Sequence, residues 1–187
     1  MIQLRGTNAT GKTTAIREFI NHGDFRVAEL DLHGRKIEYH WDDQREIAIL
    51  GRYDQRVTGG IDGYITSKNE LMDAIVRMIK TVKPRVLLFE GIVYGVTFKF
   101  AYDLCRVLKQ MKCEYTGLCL IPPLEVALDR LALRNGDKPV DYMSVQNKWF
   151  TANRAYEKLR QNGIRVKAID TSKIEKESMW RIIQDEI

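Results

Sequence analysis

Half-cystine frameworks, long apolar runs and low-complexity tracts are all missing from this 187-residue chain. Its three cysteines, Cys105, Cys113 and Cys119, are odd in number and form no Cys-x-x-Cys pair. That excludes a disulfide scaffold and a paired-cysteine zinc site, and it predicts reduced thiols in a cytoplasmic protein. No stretch approaches the roughly 20 apolar residues needed to cross a bilayer. The start, Met1-Ile2-Gln3-Leu4, lacks the basic segment and long apolar core of a secretion signal. There are only four prolines, no repeats and no linker-like stretch. A single domain over 1–187 is therefore the expectation. The Asn-Lys-x-Asp segment with which GTPases read guanine is also missing. Net charge is +5, which suits a basic cleft for small anions and is compatible with a polyanionic partner such as DNA.

What is present is sharper. Residues 6–13 read Gly6-Thr7-Asn8-Ala9-Thr10-Gly11-Lys12-Thr13, the pattern G-x-x-x-x-G-K-[ST]. Gly6 and Gly11 permit dihedrals closed to other residues, so successive N–H groups can turn toward an anion. Lys12 can reach β- and γ-phosphates, and Thr13 can offer its hydroxyl to a phosphate-bound Mg²⁺. From Thr14 the chain is helix-compatible, and a helix N-terminus adds positive field at the loop. The segment Gly6 to Thr14 is thus the expected triphosphate site.

Apolar runs at 2–5, 26–31, 86–93, 115–121 and 164–169 read as five buried strands, alternating mostly with helices. Helices are expected from the capping box Ser67-Lys68-Asn69-Glu70 to Pro84, at about 97–111, 123–135 and 141–162, and from Ile174 to the end. This predicts an α/β P-loop NTPase fold with a five-stranded, mainly parallel sheet. Residues 36–42 and 45–50 predict a β-hairpin excursion. The following loop, with Arg52, Tyr53, Arg56 and Asp62 among paired glycines, reads as ligand-facing, and 36–66 as a hairpin and acceptor-binding region.

Phosphoryl transfer needs a metal partner, a base, a lid and an acceptor pocket. Glu90 ends an apolar strand, where it can link to Mg²⁺ or act as base. Asp31 ends the second expected strand, 19 residues after Lys12. A parallel strand there would put its carboxylate beside the P-loop, so Asp31 and Glu90 are both candidate bases. Arg130 and Arg134 share a helix face in a lid-like segment, 130–142. Lys148, Arg154, Lys158 and Arg160, interleaved with Trp149, Phe150 and Tyr156, fit either a nucleic-acid grip or a plain amphipathic helix.

The chain resembles small P-loop kinases of the nucleotide-kinase group over essentially its whole length. Leu88-Phe89-Glu90-Gly91-Ile92 is similar to the corresponding strand of uridine kinases. Asp31-x-x-x-Arg35 resembles the segment after the P-loop in polynucleotide kinases, which implies Asp31 as base and Arg35 as a phosphate-holding group. Gly51-Arg52-Tyr53 followed by Gly59-Gly60-Ile61-Asp62 resembles a segment of bacteriophage P-loop kinases that include the 5-hydroxymethyluridine DNA kinases. The thymidylate-kinase Asp-Arg-Tyr/Phe signature is absent after the third strand. The resemblance implies ATP as donor, Mg²⁺, and the hydroxymethyl group of a modified base in DNA as acceptor. A kinase of free nucleosides or deoxynucleoside monophosphates, and a P-loop ATPase without acceptor, are the alternatives.

Overall fold

A computed structural model describes residues 1–53, 60–61, 65, 67–136 and 139–187. The P-loop strand β1 (Ile2–Arg5) leads through the glycine-rich loop into α1 (Lys12–Asn21). Strands β2 (Arg26–Leu32), β3 (Arg35–Asp42) and β4 (Ile47–Leu50) form a meander. Helix α2 (Lys68–Thr81) precedes β5 (Val86–Glu90), the short α3 (Ile92–Gly95) and α4 (Phe98–Gln110). Strand β6 (Thr116–Leu120), the helices α5 (Leu124–Asn135) and α6 (Tyr142–Gln161), and β7 (Val166–Ile169) follow. Two 3₁₀ turns, Thr171–Lys173 and Lys176–Ser178, and one helical turn, α7 (Arg181–Gln184), complete the chain.

The sheet has seven strands in the order β2-β3-β4-β5-β1-β6-β7. Its β4-β5-β1-β6-β7 part is parallel, while β2 and β3 are antiparallel. The expected hairpin exists, with Asp42 opposite Ile47, but it is no excursion, because β4 also pairs with β5 in parallel. Its turn is built by Asp42, whose carboxylate accepts the N–H groups of Gln44 and Arg45 at 3.1 and 3.0 Å and the Arg45 Nε at 2.6 Å.

Residues 26–32 depart from expectation. They form not a parallel strand beside the P-loop but the antiparallel sheet edge, turned back by His33-Gly34. Both turn residues have positive φ, 55° and 82°, as a two-residue hairpin turn of type I′ requires.

Side-chain alternation along the strands separates two cores. Ala48, Leu50, Leu87 and Phe89 meet α2 and α4 on one face. Ile47, Ile49, Leu88, Leu4 and Leu120 meet α1 and the C-terminal Met179, Ile182 and Ile183 on the other. The C-terminal segment is shorter in helix than expected: Ile174 is extended (φ −118°), and only the spacing of Met179, Ile182 and Ile183 follows a helical stripe onto α1. Among the described residues no helix is long and apolar enough to cross a membrane.

Candidate phosphate-binding site

The loop between β1 and α1 is held in an unusual backbone conformation. Gly6 and Gly11 have φ of 140° and 94°, and Ala9 a φ of 57°. A Cβ on Gly6 would lie 2.6 Å from the Leu120 carbonyl oxygen, so only glycine fits. Lys12 is 5% exposed, and its ammonium donates to the carbonyls of Gly6 (3.0 Å) and Thr7 (2.7 Å). Thr10 Oγ1 donates to the Thr7 carbonyl at 3.2 Å, tying the loop across itself. Thr7 Oγ1 and Asn8 Oδ1 are buried and meet no protein hydrogen-bond partner. Polar atoms in such a position fit a polar ligand seated in the loop. Thr13 and Thr14 stand in the first turn of α1, whose N-terminus opens onto the same space.

Register places the acid. Leu4 pairs with Glu90 across β1 and β5, so the end of β5 lies beside the start of the P-loop. Thr13 Oγ1 donates to Glu90 Oε1 at 2.5 Å, although 77 residues separate them. Glu90 is 2% exposed. The backbone of the next loop closes over it: Arg52 and Gly60 exchange N–H···O bonds of 3.2 and 2.9 Å, and the Ile61 N–H donates to the Glu90 carbonyl. Gly60 (φ 97°) sits so near that a Cβ would lie 3.2 Å from Glu90 Oε1. Thr13 and Glu90 offer oxygen donors only, the set that suits a hard cation completing its shell with phosphate and water.

The other nominated residues divide. Tyr53 is buried, its carbonyl accepts Arg17 Nε from α1 at 3.3 Å, and its ring tilts against His40. Arg52 reaches Glu38 on β3 at 2.8 Å. Both stand at the Arg52–Gly60 bridge, whose Gly60 lies against Glu90, whereas Arg56 and Asp62 lie outside the described residues. Asp31 and Arg35 are elsewhere. They flank the His33-Gly34 turn on β2 and β3, at the P-loop end of the sheet but four and three strands from β1, or about 19 and about 14 Å. Asp31 accepts the Gly34 N–H, faces Arg77 at 3.6 Å, and has a side chain 61% exposed; Arg35 pairs with Glu70.

Arg130 and Arg134 also separate. Arg134 is exposed in the last turn of α5. Arg130 is half-buried, and its guanidinium donates to Thr171 Oγ1 (3.1 Å) and to the Thr171 carbonyl (2.9 Å). Thr171 Oγ1 in turn donates to the Thr10 carbonyl at 2.9 Å. Arg130 is thus connected to the P-loop through Thr171, a residue that sequence reasoning passed over. Its one local signal is the Asp170-Thr171-Ser172 turn, capped by the Asp170 carboxylate.

Arg5 was also passed over. It is 1% exposed and directly precedes Gly6. It donates to Gln3 Oε1 (3.0 Å) and to the carbonyls of Tyr94 (3.5 Å) and Thr97 (2.9 Å), holding the segment after Glu90 against β1. Near it, burial pushes the Cys105 and Cys119 thiols up to about 11.

No protein-family model matches the chain. Over 169 residues it is 28% identical to a Bacillus phage SP10 protein named 5-hmdU DNA kinase, covering 88% of this chain and 26% of that protein. The chain therefore spans about a quarter of that relative's length. A Pseudomonas phage M6 protein of the same name is 28% identical over 176 residues, covering 90% of this chain and 89% of the relative. A Delftia phage PhiW-14 protein, again named 5-hmdU DNA kinase, is 24% identical, with 72% and 52% covered. Among solved structures, the Deinococcus radiodurans tunicamycin resistance protein superposes with a TM-score of 0.52 at 16% identity, over 99% of this chain and 94% of that one, a likeness of fold. The chain has an α/β fold that carries a P-loop, shared in outline with the tunicamycin resistance protein, and its sequence is similar to phage proteins named 5-hmdU DNA kinase.

Proposed function

We propose that the protein is a kinase that moves the γ-phosphoryl group of ATP to a hydroxyl of a nucleotide unit, the hydroxymethyl group of 5-hydroxymethyluracil in DNA. The observation that carries the kinase reading is the Thr13–Glu90 contact, which sets a buried carboxylate against the first helical turn after the P-loop. The relatives' shared name supports the DNA acceptor.

The loop amides and Lys12 neutralise the donor phosphates, and Thr7 and Asn8 supply further polar contacts. Thr13 and Glu90 are the residues that would hold Mg²⁺, which supplies charge neutralisation on the transferring group. Glu90 also takes the proton of the acceptor hydroxyl. The alcohol oxygen then bonds to the γ-phosphorus as the bond to the bridging oxygen breaks, and ADP leaves. Arg52 and Tyr53, on the loop that covers Glu90, position the acceptor. Arg130 steadies the P-loop through Thr171, and Arg134 is free to swing over the transferring phosphate. In DNA the target base must be unstacked or flipped to reach this corner.

The test is transfer from γ-labelled ATP to three acceptors: 5-hydroxymethyluracil DNA, unmodified DNA and free nucleotides. Label in the modified DNA alone is the expected result. Label only in free nucleotides overturns the DNA acceptor, and orthophosphate release with no labelled acceptor overturns the kinase.

A further inference from the structure

The exposed face of α6 has no part in the phosphate site. Residues 130–160 hold seven Lys and Arg against three Asp and Glu, a net +4 of the chain's +5. Two of those acids are engaged internally: Asp141 caps α6 by accepting the Ser144 N–H at 2.9 Å, and Glu157 pairs with Arg160 at 3.0 Å. Arg134, Arg154 and Lys158 have no carboxylate in ion-pair range among the described residues.

Residues 130–160 also hold four of the six exposed large apolar side chains among the described residues: Leu133 on α5, and Tyr142, Met143 and Phe150 on α6. Along α6, Met143, Phe150, Arg154 and Lys158 fall on one stripe, opposite the buried Val145, Ala152, Ala155 and Leu159. Successive members from Phe150 on rise about 6 Å. The 20 residues of α6 span about 30 Å, while the four of β7, to which it returns, span about 13 Å. Trp149 Nε1 donates to the Pro122 carbonyl at 2.9 Å, just past the P-loop end of β6, so the turns of α6 before Trp149 project past that sheet end.

We propose that this stripe binds single-stranded DNA next to the acceptor nucleotide, with Phe150 stacking on a base and Arg154 and Lys158 meeting phosphates. The proposal rests on the DNA-acceptor reading and adds where the strand lies. A flat exposed ring followed by cations suits an unstacked strand, which offers a π-face and a phosphate at each step. A second copy of the chain fits less well, because a two-fold contact would set these cations against their own kind.

Fluorescence anisotropy with a labelled single-stranded oligonucleotide, at several salt concentrations, tests it. Phe150→Ala is expected to weaken binding about tenfold, with Phe150→Trp restoring it. Arg154→Glu with Lys158→Glu is expected to weaken it further and to flatten the slope of log affinity against log salt by about 1.4. The thermal midpoints, read in parallel, are expected to stay near wild type because these side chains are exposed. Absence of strand binding by the wild type, or unchanged affinity and salt slope in the variants, overturns the proposal, as does loss of self-association in the variants with strand binding intact. If the wild type binds the strand through this stripe yet labels only free nucleotides, the acceptor reading fails and the surface stands. If it labels modified DNA while the variants bind as wild type does, only the surface fails.

Discussion

At the β1–β5 corner Lys12 and Glu90 are no more than 5% exposed, while on the β2–β3 hairpin, at the same end of the sheet, the Asp31 side chain and its partner Arg77 are 61% and 42% exposed. Both regions hold acids, cations and a glycine with positive φ. In the first, both charges are taken out of water: the Lys12 ammonium donates to the Gly6 and Thr7 carbonyls, and Glu90 accepts from the Thr13 hydroxyl 77 residues away. In the second, they form solvated ion pairs worth little, about 0–1 kcal/mol each. The lesson is that burial by register, rather than residue type or strand-end position, separates the acid held at the P-loop from a surface one here.

Breaking the corner should have the largest effect. Lys12→Ala is expected to lower transfer by about 10³-fold with little change in fold, measured as initial rates beside a circular dichroism melt. Gly60→Ala comes next. Its Cβ would press on the Glu90 carboxylate in a backbone conformation unfavourable to alanine, so kcat should fall about tenfold and stability by about 1–3 kcal/mol.

A third variant asks what burial does within the meander itself. Burial opposes ionisation of Asp42, but the N–H groups and guanidinium of Arg45, with the Gln44 N–H, outweigh it and hold its pKa below the ordinary 3.8. A lowered folded-state pKa contributes stability above the unfolded value and loses it as pH falls through the folded one. Asp42→Asn should therefore cost about 1–3 kcal/mol at pH 7, and the gap to wild type should narrow in acid, read by urea melts at neutral and low pH. The smallest effect belongs to the hairpin: Arg35→Ala is expected to change acceptor KM less than about twofold and stability by less than about 1 kcal/mol.

The same contrast explains what was legible. The P-loop announces itself because Gly6, Gly11, Lys12 and Thr13 carry their chemistry within eight residues. Glu90 was legible as an acid ending an apolar strand, although its meeting with Thr13 depends on the β1–β5 register. Strand β2 misled because only Leu30 and Leu32 of its seven residues are buried, and because His33-Gly34 makes a type I′ turn without the usual Asn-Gly sign. An apolar run ending in Asp-Leu-His-Gly reads equally well as a strand entering a helix. The contact between Arg130 and Thr171 spans 41 residues and has no sequence period to announce it.

The most direct measurement sets Glu90→Gln beside Asp31→Asn in one transfer assay with γ-labelled ATP and modified DNA. The account predicts a fall of about 10²-fold or more in kcat for Glu90→Gln and a rate within about twofold of wild type for Asp31→Asn. A collapse in Asp31→Asn with near-normal turnover in Glu90→Gln would contradict it.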